Sequence, residues 1–112
     1  EISRLADITH MIKISLNKDK IRFINLHKSF FAELSNTSCD IDDNKVSIYE
    51  NSNQNLDPAS IELKIIDGSY QIYFWDGYSL ADKYSTDNYD EALSQFKKFA
   101  KRLSKNLRRF SD

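Results

Sequence analysis

The groups able to act as acids, bases, nucleophiles or metal ligands in this 112-residue chain are two histidines, one cysteine and seventeen carboxylates. Their spacing argues against catalysis. His27 shares an apolar stripe with Ile24, Phe31 and Leu34, which predicts a packed imidazole rather than a free base, and His10 stands in no catalytic motif. Cys39 is followed by Asp40, and an adjacent anion raises a thiol pKa, the wrong direction for a nucleophile. Ser69 and the other serines sit in no nucleophile motif, and the two glycines build no Gly-rich phosphate loop. Asp40-Ile41-Asp42-Asp43-Asn44 has the composition of a calcium loop but lacks its spaced ligands, its glycine and its terminal glutamate. A non-catalytic chain without metal or cofactor is therefore expected.

The remaining chemistry is electrostatic. Residues 37–91 carry twelve acids against three bases, a net −9, residues 92–112 carry seven bases against one acid, a net +6, and residues 1–36 come to +2. A formal net charge of −1 thus conceals a dipolar molecule. Charge blocks of this kind govern partners and association rates rather than fold. The acidic block offers Asp40, Asp42, Asp43, Glu50, Asp57 and Glu62 as contacts for a basic protein partner. The alternative is a nucleic acid lying along Lys97, Lys101, Arg102, Lys105 and Arg108, although the acidic remainder of the chain would repel it.

The elements that must position these residues follow from periodicity. Ile2, Leu5, Ile8, Ile12 and Leu16 recur at three and four, which predicts a helix over 2–15. Ile24, His27, Phe31 and Leu34 predict a second helix over 19–35, capped by Asn17 or Asp19. A β-hairpin within 12–26 competes with this reading, because Ile12, Ile14 and Leu16 also alternate, as do Ile21 and Phe23. Residues 35–44 read as loop. The period then becomes two over 45–50, 61–65, 70–75 and 78–84, with Asp67-Gly68 and Asp76-Gly77 as hairpin turns. Asn88 and Glu91 have capping-box spacing ahead of a long helix carrying Leu93, Phe96, Ala100, Leu103, Leu107 and Phe110. The expected architecture is one α+β domain: a four-stranded antiparallel meander with two N-terminal helices and a C-terminal helix packed on it.

Within that meander Val46, Ile48, Leu63, Ile65, Ile72 and Phe74 face the helices. The opposite face carries Tyr49, Glu62, Lys64, Tyr73 and Trp75. Tyr49, Tyr73 and Trp75 are the candidate aromatic anchors, since such side chains pair large contact area with a hydrogen bond. Either the N-terminal helices cover this face or it is open, to a partner or to a second copy in a homodimer.

The stretch Ser69-Tyr70-Gln71-Ile72-Tyr73-Phe74-Trp75-Asp76-Gly77 continues through a strand to Tyr84. Asp87-Asn88-Tyr89-Asp90-Glu91-Ala92-Leu93 with Phe96 comes next. This resembles the C-terminal half of small immunity proteins from bacterial toxin systems, contact-dependent inhibition among them, in which a strand pair precedes a DxDEAxxxF helix start. The resemblance implies a protein without catalysis that binds a cognate toxin domain, often a basic nuclease. It carries no residue roles over. No apolar run approaches the roughly 18 residues of a membrane span, and no leader of basic then apolar residues opens the sequence. With one cysteine and so no internal disulfide, a cytoplasmic location is expected. The sequence opens at Glu1 rather than Met, which leaves room for a piece of a longer protein.

Overall fold

The computed structural model describes residues 15–51 and 58–109. A 3-10 turn, Leu16–Asp19, leads into helix α1, Lys20–Phe31. Strands β1 Thr37–Ile41, β2 Lys45–Glu50, β3 Ser60–Ile66, β4 Ser69–Trp75 and β5 Leu80–Thr86 follow, then helix α2, Tyr89–Arg109. The strands form one antiparallel sheet in sequence order.

The α+β class and the meander are as the sequence predicts, but the strand count is five rather than four. Residues 35–44, read as loop, contain β1. Its Thr-Ser-Cys-Asp-Ile run alternates weakly, and what makes it a strand is in-register pairing with β2, from Thr37 opposite Glu50 to Ile41 opposite Val46. Among the described residues there are two α-helices rather than three. The helix read over 2–15 falls, up to residue 14, outside the described residues. The competing hairpin is overturned where the chain is described, because Lys20–Phe31 is helical. That helix also stops at Phe31 instead of continuing to residue 35.

Both Asp-Gly turns exist and differ. Asp67 (φ 52°) and Gly68 (φ 80°) are both left-handed, as a two-residue primed turn between Ile66 and Ser69 requires. Asp76-Gly77 instead opens a longer turn. Asp76 donates its N–H to the Ser79 carbonyl, while its Oδ1 accepts from the Tyr78 and Ser79 amides at 2.9 and 3.0 Å. The pairing slips between Phe74 and Trp75, so β5 begins at Leu80 rather than Tyr78.

Register stacks the core in rows. Val46, Leu63 and Ile72 lie side by side, as do Ile48, Ile61 and Phe74, and all six are buried. Ile65, expected among them, is half-buried and sits opposite the buried Tyr70. Phe96, Phe99, Ala100 and Leu103 of α2 close the core, with Phe23 of α1 meeting Phe96 edge-on at 5.8 Å. Asn88 caps α2 as expected, its Oδ1 accepting the Glu91 amide at 2.9 Å. The Glu91 carboxylate accepts from Tyr84 Oη at 2.8 Å, which joins the helix start to β5.

Candidate protein-binding face

Strand parity sorts every side chain to one of two faces. Both described helices pack on the face carrying Val46, Ile48, Ile61, Leu63, Ile72 and Phe74. The other face takes Ser38 and Asp40 from β1, Lys45, Ser47 and Tyr49 from β2, Ser60, Glu62 and Lys64 from β3, Gln71, Tyr73 and Trp75 from β4, and Lys83 and Ser85 from β5; Leu80 joins them against its parity, because the register slip pairs it with Trp75. None of the described helices covers it. Residues 1–14, expected in the alternative reading to do so, lie outside the described residues.

Two of the aromatic side chains of this face, Tyr49 and Tyr73, meet its charges. Tyr49 Oη donates to Asp40 Oδ2 at 2.8 Å, and that bond, more than any other cause, holds the phenol above its ordinary pKa. Lys64 pairs with Glu62 at 3.4 Å and places its ammonium 5.6 Å from the Tyr73 ring centre. Ser85 Oγ bridges to Gln71 Oε1 across β4 and β5. Ser47 is buried beneath these longer neighbours.

At one end of the face Trp75 and Leu80, opposite one another in the register, are 39% and 38% exposed, and Tyr78 in the turn beside them is 95% exposed. Exposed apolar side chains that cluster, rather than stand singly, are what a protein contact surface offers. Pro58, Ser60, Trp75, Gly77, Tyr78 and Ser79 line a cleft of about 320 Å³ there. Trp75 was legible from alternation. Tyr78 and Leu80 were not, because the slipped register that aligns Leu80 with Trp75 leaves no trace in the sequence.

The structure divides the predicted acidic contacts. Asp40 and Glu62 join Tyr49, Tyr73 and Trp75 on the face that the described helices leave uncovered, but Lys45, Lys64 and Lys83 share that face and balance them. Glu50 has the parity of Val46 and Ile48, the helix-facing side. Asp57 lies outside the described residues. Asp42 and Asp43 sit in the β1–β2 turn, where both have structural duties. Asp42 Oδ1 accepts the amides of Asn44 and Lys45, each at 2.8 Å, and Asp43 Oδ1 accepts from Ser15 Oγ at 2.8 Å while its carbonyl takes the Leu16 amide.

Antiparallel order brings that turn to the same end of the sheet as the β3–β4 turn and the start of α2. Asp19, Asp42, Asp43, Asp67, Asp87, Asp90 and Glu91 therefore meet at one end, against Lys18, Lys20 and Arg22 of the turn and α1. The acidic block of the sequence becomes an acidic end of the molecule rather than an acidic face.

The catalytic candidates have structural roles. His27 Nε2 lies 3.0 Å from Thr37 Oγ1 and its ring 5.5 Å from that of Phe31, tying α1 to β1, and burial holds its pKa below the usual histidine value. Cys39 is half-buried, and burial first, then Asp40, pushes its thiol up to about 11. His10 lies outside the described residues. Among the described residues no group of three or more His, Cys, Asp or Glu side chains could hold a metal ion, and no helix is long and apolar enough to cross a membrane.

The basic residues all project from α2 but have different partners. Arg102 bonds Asp82 at 2.7 Å and lies over the Phe74 ring at 4.7 Å, while Arg108 bonds the Phe30 carbonyl at 2.8 Å and pairs with Glu33 at 3.7 Å. Lys101 stands 5.9 Å over the Phe30 ring, and Lys97 lines the groove between α1 and α2. Lys105 is exposed. The chain matches no protein-family model, no curated protein and no solved structure.

Proposed function

We propose that this protein is a non-catalytic binding module that docks a basic protein domain on its open sheet face, as an immunity protein docks and neutralises a cognate nuclease-type toxin in the cytoplasm. One observation carries the reading. The described helices pack on a single face of the meander, and the other presents Tyr49, Tyr73 and Trp75, with Tyr78 and Leu80 at its margin. Aromatic anchors on a rigid sheet supply contact area at low entropy cost. The acidic end supplies a field that speeds encounter with a cationic domain. Asp40 and Glu62 orient the tyrosines and the lysine among which a partner would bind.

The neutralising part has a separate test. A basic domain retained by the full chain after nuclease treatment is expressed alone in bacteria and then together with this chain. Growth arrest by the domain alone, relieved by co-expression, is the expected result. A retained domain that is harmless by itself would leave binding in place and overturn neutralisation.

A further inference from the structure

The helix layer carries a second surface, opposite in charge and facing away from the open sheet. From Lys97 to Arg109, α2 exposes Lys97, Lys98, Lys101, Arg102, Lys105, Arg108 and Arg109, with no acid among residues 92–109. At 100° per residue these seven side chains occupy about 140° of the helix, centred opposite the buried stripe of Phe96, Phe99, Ala100, Leu103 and Leu107. They run for about 18 Å along the axis. Among the described residues Asp82 and Glu33 are the acids paired with this ridge, through Arg102 and Arg108. Lys97, Lys98, Lys101, Lys105 and Arg109 have no ion pair among the described residues.

Two ordinary explanations fall short. The helix dipole favours cations only within the last turn, whereas Lys97, Lys98, Lys101 and Arg102 stand earlier. Solubility calls for mixed signs, and an unmixed ridge sets like charges three and four residues apart, where they repel.

We propose that this ridge of α2 binds the sugar-phosphate backbone of a nucleic acid. A straight row of cations matches a linear polyanion, and 18 Å of duplex axis carries about five phosphates of each strand. A lipid surface fits less well. A membrane-surface helix buries an apolar face in the bilayer, and the apolar face of α2 is already spent on the sheet. Contacts of this kind, to phosphate oxygens, fix position without reading sequence. The ridge shares no residue with the open sheet face, so either surface can fail its test without the other.

The test is fluorescence anisotropy with the full chain, a labelled DNA duplex of about 20 base pairs and a labelled RNA strand of similar length, at salt from about 50 to 200 mM. Lys98→Glu with Lys105→Glu is the variant, since neither side chain packs on the core or pairs with an acid. Lys83→Glu on the sheet is the control, and circular dichroism checks folding of each. Binding of at least one probe is expected. It should fall by about 10²–10³ across that salt range for some five neutralised phosphates, weaken at least about tenfold in the double variant, and persist in the control. No binding at the lowest salt, or binding indifferent to the double variant, would overturn the proposal. So would capture of anionic vesicles in place of nucleic acid, or self-association lost in the double variant, which would assign the ridge to the acidic end of a second copy.

Discussion

Tyr89 Oη donates a 2.6 Å hydrogen bond to Asp19 Oδ2 across 70 residues of sequence. This bond fastens the 3-10 turn before α1 to the first residue of α2, while the Tyr89 ring tilts against Tyr70 at 5.3 Å. Burial, then the bond itself, drives the phenol far above its ordinary pKa. The two helices are thus joined at the acidic end by a neutral donor and an anion, an arrangement stronger than a neutral pair.

Tyr89→Phe keeps the ring and removes the donor, leaving Asp19 to water on one side. It should lower stability by about 1–2 kcal/mol. In urea unfolding followed by circular dichroism, the midpoint should fall with the slope unchanged. An unchanged midpoint would mean that the bond is not made in solution.

Asn88 is the N-cap of a 21-residue helix that supplies much of the core. Asn88→Ala leaves the Glu91 amide without its acceptor and should cost about 1 kcal/mol, and Asn88→Ser should restore most of it. The same denaturant titration reads both. Equal loss in the two variants would point to packing rather than capping.

Cys39 should be a slow thiol. With its pKa at about 11, about one molecule in a thousand is thiolate at pH 8, against a substantial fraction in the unfolded chain. Alkylation by iodoacetamide at that pH should run about a hundredfold slower in the native protein than in denaturant. The sign for stability follows. The unfolded thiol ionises first as pH rises, so between its ordinary pKa and about 11 the group withdraws stability, and Cys39→Ala removes that share of the alkaline decline. Native and denatured rates that coincide would show Cys39 to be open to solvent.

How legible the molecule was depends on how local each signal is. Asp67-Gly68 fixed a primed turn because both residues accept positive φ, and Asn88 fixed a helix start through its own side chain. Strand β1 was illegible because Thr37–Ile41 becomes a strand only by pairing with β2, and composition does not announce that pairing. Trp75 could be placed on the face away from the described helices by counting in twos. Tyr78 and Leu80 could not, because the slip after Phe74 breaks the count. The charge blocks were visible as runs, but their placement was not. Only antiparallel order turns Asp42, Asp67 and Asp87, far apart in sequence, into one end of the molecule, and only pairing balances Asp40 and Glu62 with lysines on the face.

The central claim is that the open aromatic face holds a basic protein. Nuclease-treated affinity capture with the immobilised full chain, quantified by mass spectrometry, tests it against two variants: Tyr73→Ala with Trp75→Ala, and Lys98→Glu with Lys105→Glu. One basic protein should be enriched on the unmodified chain, fall at least about tenfold on the aromatic variant as hot-spot loss requires, and be retained on the lysine variant. Equal capture by the unmodified chain and the aromatic variant, or loss only on the lysine variant, would contradict the account.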